Sequence, residues 1–168
     1  MKKWICLIVA LLVIELANKS IAGANSAVVD GDSLEISERR IRLIGIDSPE
    51  LFQECYDEHQ KPYMCGQQAK DYLSQLIDEG ASKGLKVKCE SQGKDRYKRE
   101  LCICYVGKKN LNFEMVKAGL AIAYKSEMFI KPQERAKAHK KGIWRGKFMR
   151  PELYRALKRE REKQNPPE

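Results

Sequence analysis

Between Ala27 and Tyr105 apolar residues arrive in short runs separated by polar turns, the grammar of β-strands. "AVVDGDSLEI" sets Ala27, Val28 and Val29 before an Asp30-Gly31-Asp32 turn and resumes at Leu34 and Ile36, which predicts a hairpin. "RRIRLIGI" predicts a third strand, paired back across the polar turn at Ser37 and Glu38. The stretch from Leu51 to Tyr63 is polar and irregular. In "CGQQAKDYLSQLID" the period changes: Ala69, Leu73, Leu76 and Ile77 fall on one helical face, and Gly80 is expected to end that helix. "GLKVKCE" and "RELCICYV" predict a fourth and a fifth strand joined by the loop "SQGKDRYK". "NLNFEMVKAGLAIA" predicts a second helix ending near Gly119, and a third is expected from about Pro132 to Lys141.

Strand, strand, strand, helix, strand, strand, then helices is the element order of an α+β fold. The expected architecture is a five-stranded OB-type Greek-key β-barrel with about three helices, a type that binds nucleic acids or oligosaccharides on one face. Neither an internal repeat nor a second domain is visible.

The ends of the chain add to this picture. Lys2 and Lys3 precede the apolar run "WICLIVALLVI" and a stretch of small residues, which predicts an export signal over residues 1–24. The run falls short of the roughly 20 residues that span a bilayer, so cleavage is expected rather than anchoring, with a periplasmic or secreted product and no stable membrane association. Of the six cysteines Cys6 lies in the signal, and the odd five that remain suggest two disulfides and one free thiol. There is no CxxC pair, and His59 and His139 lie far apart, so the pattern does not support a zinc site. The formal net charge is +9, and the 33 residues from Lys131 to Lys163 alone carry a net +9, so polyanions are the expected partners. Residues 150–168 read as a frayed helix or disordered tail. The expected domains are the signal, a barrel over residues 25–148 and a charged extension over residues 149–168.

Chemistry concentrates in "RLIGIDSPE", a strand with an arginine near its head and two carboxylates three residues apart at its tail. Taken alone, the stretch reads as a strand running into a capped helix start. Together with "VVDGDSLEI", "DRYKRELCICYV", "NFEMVKAGLAIAY" and "KGIW", in this order and approximate spacing, it resembles the staphylococcal nuclease (thermonuclease) family over nearly all of residues 27–145. The "ECYDEHQKPYMCG" insertion and the cysteine-bearing strands resemble its exported, disulfide-containing Gram-negative members.

That resemblance implies a calcium-dependent, sugar-non-specific nuclease that hydrolyses DNA and RNA and leaves 3′-phosphate ends. Hydrolysis of a phosphodiester needs an activated water and cancellation of charge on the phosphoryl oxygens, and a hard cation held by carboxylates supplies much of this. By resemblance Asp32, Asp47 and the Ser48 carbonyl ligate the cation, Glu50 is the general base, and Arg42 and Arg99 clamp phosphate. Strand pairing is expected to bring Asp32 and Asp47 within about 5 Å of one another. Tyr97 and Tyr124 match positions that contact nucleotide and base. Cys55 and Cys65 flank a polar insertion and are expected to pair. Cys89 could reach either Cys102 or Cys104, which share a strand face, and resemblance favours Cys104. Lys98 replaces the family's usual glycine before Arg99, so a positive φ there would alter the loop; Ser33 and Ser48 each replace threonine. The chain is expected to act as a monomer. A catalytically silent nucleic-acid-binding OB module and a disulfide-stabilised adhesion protein are the rival readings.

Overall fold

A computed structural model describes residues 26–165; the expected export signal lies outside them. Strands β1 (Ser26–Asp30), β2 (Ser33–Ile36) and β3 (Arg39–Leu43) form the expected antiparallel meander. β3 then pairs in parallel with β8 (Glu100–Val106), which pairs antiparallel with β7 (Val87–Lys94), giving the order β1-β2-β3-β8-β7 in a curled OB-type sheet. A two-residue strand β9 (Lys109–Asn110) adds to the free edge of β8. Leu34, Ile41, Leu43, Cys102 and Cys104 point inward. They pack on Leu73 of helix α1 (Cys65–Ala81) and on Leu111 and Met115 of helix α2 (Leu111–Lys117).

Several expectations shift. The third strand does not run unbroken to Ile46: it turns at Ile44 and Gly45, and β4 (Ile46–Asp47) leaves the main sheet to pair with β10 (Ile122–Ala123). The irregular segment holds a small hairpin of β5 (Glu54–Tyr56) and β6 (Pro62–Met64). Gly80 does not end α1, which continues to Ala81; a Cβ there would stand 1.9 Å from Val106 Cγ1, so this glycine serves close packing of helix on sheet. The third helix, α3, spans Ile130–Ala138. Of the two readings of the tail, frayed helix or disordered segment, the helix is the one found: α4 spans Pro151–Gln164 and opens with Pro151 in its first turn.

Buried Asn112 ties the frame together. Its side chain accepts the Cys104 N–H at 3.0 Å and donates to Ile44 O at 2.9 Å and Cys102 O at 3.1 Å, pinning β8 to the corner that precedes Asp47. Disulfides join Cys55 to Cys65 and Cys89 to Cys104, with Cα atoms 5.6 and 4.1 Å apart, and Cys102 is a buried free thiol.

Candidate active site

Asp32 closes the β1–β2 turn, where its N–H donates to Asp30 Oδ1 at 2.9 Å. Asp47 ends β4 and is fully buried. The two do not meet through a shared ladder, because β4 pairs with β10 and not with the hairpin that carries Asp32. They meet through two intermediaries. The Ser48 N–H donates to Asp32 Oδ2 at 2.7 Å, while the Ser48 hydroxyl donates to Leu120 O at 2.8 Å. Arg42 of β3 bridges the pair, with Nη1 2.5 Å from Asp32 Oδ2 and Nη2 3.0 Å from Asp47 Oδ1. Burial pushes the Asp32 carboxyl up to about 7, against the pull of the Arg42 guanidinium and with Asp30 and Asp47 adding to the rise.

Glu50 stands on the turn after β4. Its N–H donates to Gln53 Oε1 at 3.2 Å and its carbonyl accepts the Gln53 N–H at 2.7 Å, so the buried Gln53 fixes the backbone under the Glu50 side chain. On the far wall, the loop before β8 curls around Asp95, whose Oδ1 accepts from the N–H groups of Tyr97 at 2.9 Å and Arg99 at 3.0 Å. Asp95 Oδ2 takes Arg99 Nε at 2.8 Å and aims that side chain. Lys98 does adopt a positive φ, 62°, in the place where the family usually has glycine. The Tyr97 ring lies under two guanidiniums, Arg96 at 4.8 Å and Arg99 at 5.7 Å.

These walls enclose a cleft of about 400 Å³ that brings together Asp32, Arg42, Glu50, Tyr97, Arg99 and Tyr124. Asp47 and Ser48 lie beneath it, buried. A roomier pocket of about 600 Å³ beside α2 and α3 carries none of the expected site residues. Arg42 is more deeply engaged than a free phosphate clamp, because its Nη2 also donates to Ile46 O at 3.2 Å. It holds the carboxylate floor together.

Sequence reading missed Arg155. This residue of α4 reaches into the cleft and grips Asp47 with both arms, Nη1 to Oδ1 and Nη2 to Oδ2 each at 3.0 Å, while Nη1 also donates to Glu50 Oε1 at 2.7 Å. Burial by itself would lower its pKa, but the hydrogen bonds and charges of Asp47 and Glu50 outweigh that and raise it. Arg40, Arg96 and Arg159 also line the cleft. The only advance signal was the basic density of the tail, together with the Pro151-Glu152 helix start.

Carboxylate oxygens of Asp32 and Asp47, the first bonded to the Ser48 N–H, would suit a hard cation, and no thiolate or imidazole lines the cleft. Among the described residues no three or more His, Cys, Asp or Glu side chains converge as a ready-made cage. Backbone oxygen and water would therefore complete the shell, as calcium commonly accepts.

Residues 40–146, which include all of β3 but its first residue, β4, both strands that close the sheet and the Arg99 loop, match the model of the family described as staphylococcal nuclease homologue. The chain belongs to the staphylococcal nuclease family. It is 35% identical over 126 residues to an uncharacterized endonuclease of Haemophilus influenzae, covering 70% of this chain and 62% of that protein. It is 32% identical over 124 residues to the succinoglycan biosynthesis protein ExoI of Rhizobium meliloti, covering 71% and 63%. Identity to the thermonuclease of Staphylococcus hyicus is 30% over 128 residues, covering 70% and 72%. The chain spans less than two thirds of the length of the first two of these relatives. Helix α4 lies beyond the residues that the family model matches.

Proposed function

We propose that this chain is an exported, calcium-dependent nuclease that hydrolyses phosphodiester bonds in DNA and RNA and leaves 3′-phosphate ends. The observation that carries the reading is one cleft of about 400 Å³ lined by carboxylates, guanidiniums and two tyrosines. The names of two relatives in the same family, an endonuclease and a thermonuclease, point the same way.

In this reading Asp32, Asp47 and the Ser48 carbonyl hold the cation, which when bound neutralises charge on the phosphoryl oxygens and lowers the pKa of nearby water. Glu50, its backbone set by Gln53, accepts the proton of the attacking water. Arg99, aimed by Asp95, binds a phosphoryl oxygen and stabilises the departing 5′ oxygen. Arg42 keeps the two aspartates together and adds positive charge beneath the phosphate. Tyr97 and Tyr124 offer ring faces to the sugar and base, which gives affinity with little sequence preference. Residues 25–148 form the catalytic domain, residues 1–24 an export signal and residues 149–168 a basic extension, and the protein acts as a monomer. No described helix is long and apolar enough to cross a membrane, and the two disulfides suit an oxidising compartment.

The test is to incubate purified protein with plasmid DNA and, separately, RNA, with calcium and with chelator. Cleavage that calcium supports and chelation abolishes is expected. Binding without cleavage would instead identify a silent OB module, and full activity in chelator would remove the cation from the reaction.

A further inference from the structure

Arg155 makes the same kind of contact with Asp47 that a bound cation would need. Its planar fork takes both Asp47 oxygens and one Glu50 oxygen, at 3.0, 3.0 and 2.7 Å. Asp47 Oδ1 is shared with Arg42 Nη2, so in this arrangement every carboxylate oxygen of Asp47 already accepts from a guanidinium. A cation that takes Asp47 must displace one of these two forks, and Arg42 is also tied to Asp32 and to Ile46 O, which leaves Arg155 as the one able to leave.

The helix that carries Arg155 is lightly held elsewhere. Its root is fixed: Lys147 exchanges backbone hydrogen bonds with Tyr56, Gln53 Nε2 donates to Met149 O at 2.7 Å, and Pro151 is buried. Past that root Leu153 and Leu157 remain 52% and 40% exposed, and the Tyr154 hydroxyl makes one long bond of 3.4 Å to Phe52 O. The Arg155 fork is the strongest contact between the body of the protein and the helix beyond its first turn.

We propose that α4 is a displaceable latch: Arg155 holds Asp47 and Glu50, and a divalent oxygen-seeking cation binds by taking Asp47 from it, which frees α4 beyond its fixed root at Met149–Pro151. The latch keeps the buried carboxylates paired when no cation is bound, lowers the apparent cation affinity and makes helix position report site loading. It rests on the cation site argued above.

Calcium titration by calorimetry on the full mature chain, alongside hydrogen exchange of residues 151–164, tests it. Arg155→Ala is expected to bind calcium at least tenfold more tightly than the wild type, and Arg155→Gln to do the same should the alanine variant fold poorly. In the unmutated protein, calcium is expected to speed amide exchange along α4, a readout that needs no variant. Equal calcium affinity in wild type and both variants, or unchanged α4 exchange on calcium addition, would overturn the latch and leave the cation site standing. If neither wild type nor variants bind calcium, and Asp47→Asn changes nothing, the cation site falls and the latch with it. Unchanged calcium affinity combined with a raised KM in Arg155→Ala would make Arg155 a substrate-phosphate contact instead.

Discussion

Gly66→Ala places one methyl group where the carbonyl of the candidate base already stands. A Cβ on Gly66 would lie 1.7 Å from Glu50 O, 2.5 Å from Glu50 C and 2.8 Å from Leu51 O, all of them backbone atoms that no rotamer change can move. Contacts of a Cβ essentially never fall below 3.0 Å, so helix and turn must separate by more than about 1 Å. The helix cannot simply slide away, because Cys65 beside it is bonded to Cys55 and the Gly66 N–H donates to Gln53 O at 3.3 Å. Overpacking of this kind costs about 1–3 kcal/mol, and the better helix propensity of alanine returns about 1 kcal/mol. The expected net loss is on the order of 0–2 kcal/mol, a fall in Tm of at most roughly 8 °C for a chain of this size. Function is expected to suffer more, since a misplacement of about 1 Å at a catalytic group can cost about 100-fold. Thermal melts and initial rates of plasmid cleavage on the same preparations separate the two effects. Wild-type kcat/KM in Gly66→Ala would refute the claim that this close approach sets the position of Glu50.

Other residues yield simpler expectations. Arg99→Ala is expected to lower kcat by two or more orders of magnitude, about 3 kcal/mol of charge stabilisation, with little change in Tm because its partner Asp95 lies near the surface; a near wild-type rate would remove Arg99 from the chemistry. Lys98→Gly relieves a left-handed residue at φ 62° and is expected to stabilise by about 0.5–1 kcal/mol in urea unfolding, after allowing for the extra freedom of glycine in the unfolded chain; a loss of stability would show that the Lys98 side chain contributes more than its backbone costs. Replacing both Cys55 and Cys65 by serine opens a loop with a sequence separation of 10 and is expected to cost about 2–3 kcal/mol, with a larger fall in activity than the matching Cys89 and Cys104 pair, because only the first loop lies directly behind Glu50. Equal losses of activity from the two double variants would detach the first bridge from the site.

The meander of the first three strands and the helical stripe of Leu73, Leu76 and Ile77 follow from the sequence alone. They do so because the periods of 2 and 3.6 residues belong to the backbone and need no knowledge of what lies opposite. The positive φ at Lys98 was foreseeable for a similar local reason, a tight turn where the family usually keeps glycine. Site assembly was a different matter. Asp32 and Asp47 meet through an arginine fork and a backbone amide, and not through the strand pairing that the sequence suggested, because the break at Gly45 hands β4 to a partner 76 residues downstream. Gly80 looked like a helix stop, and only the docking of α1 on Val106 shows it as a packing contact. Arg155 reaches Asp47 across 108 positions of sequence, and one basic residue among thirteen in the last segment carries no local mark that distinguishes it from the rest. What separates it is where α4 leaves Met149, a direction set by Gln53 and Lys147 on elements folded elsewhere in the chain. Periodicity fixes which face of an element is buried, whereas the partner of a buried charge depends on how whole elements dock, and that is decided by the sum of contacts across the fold.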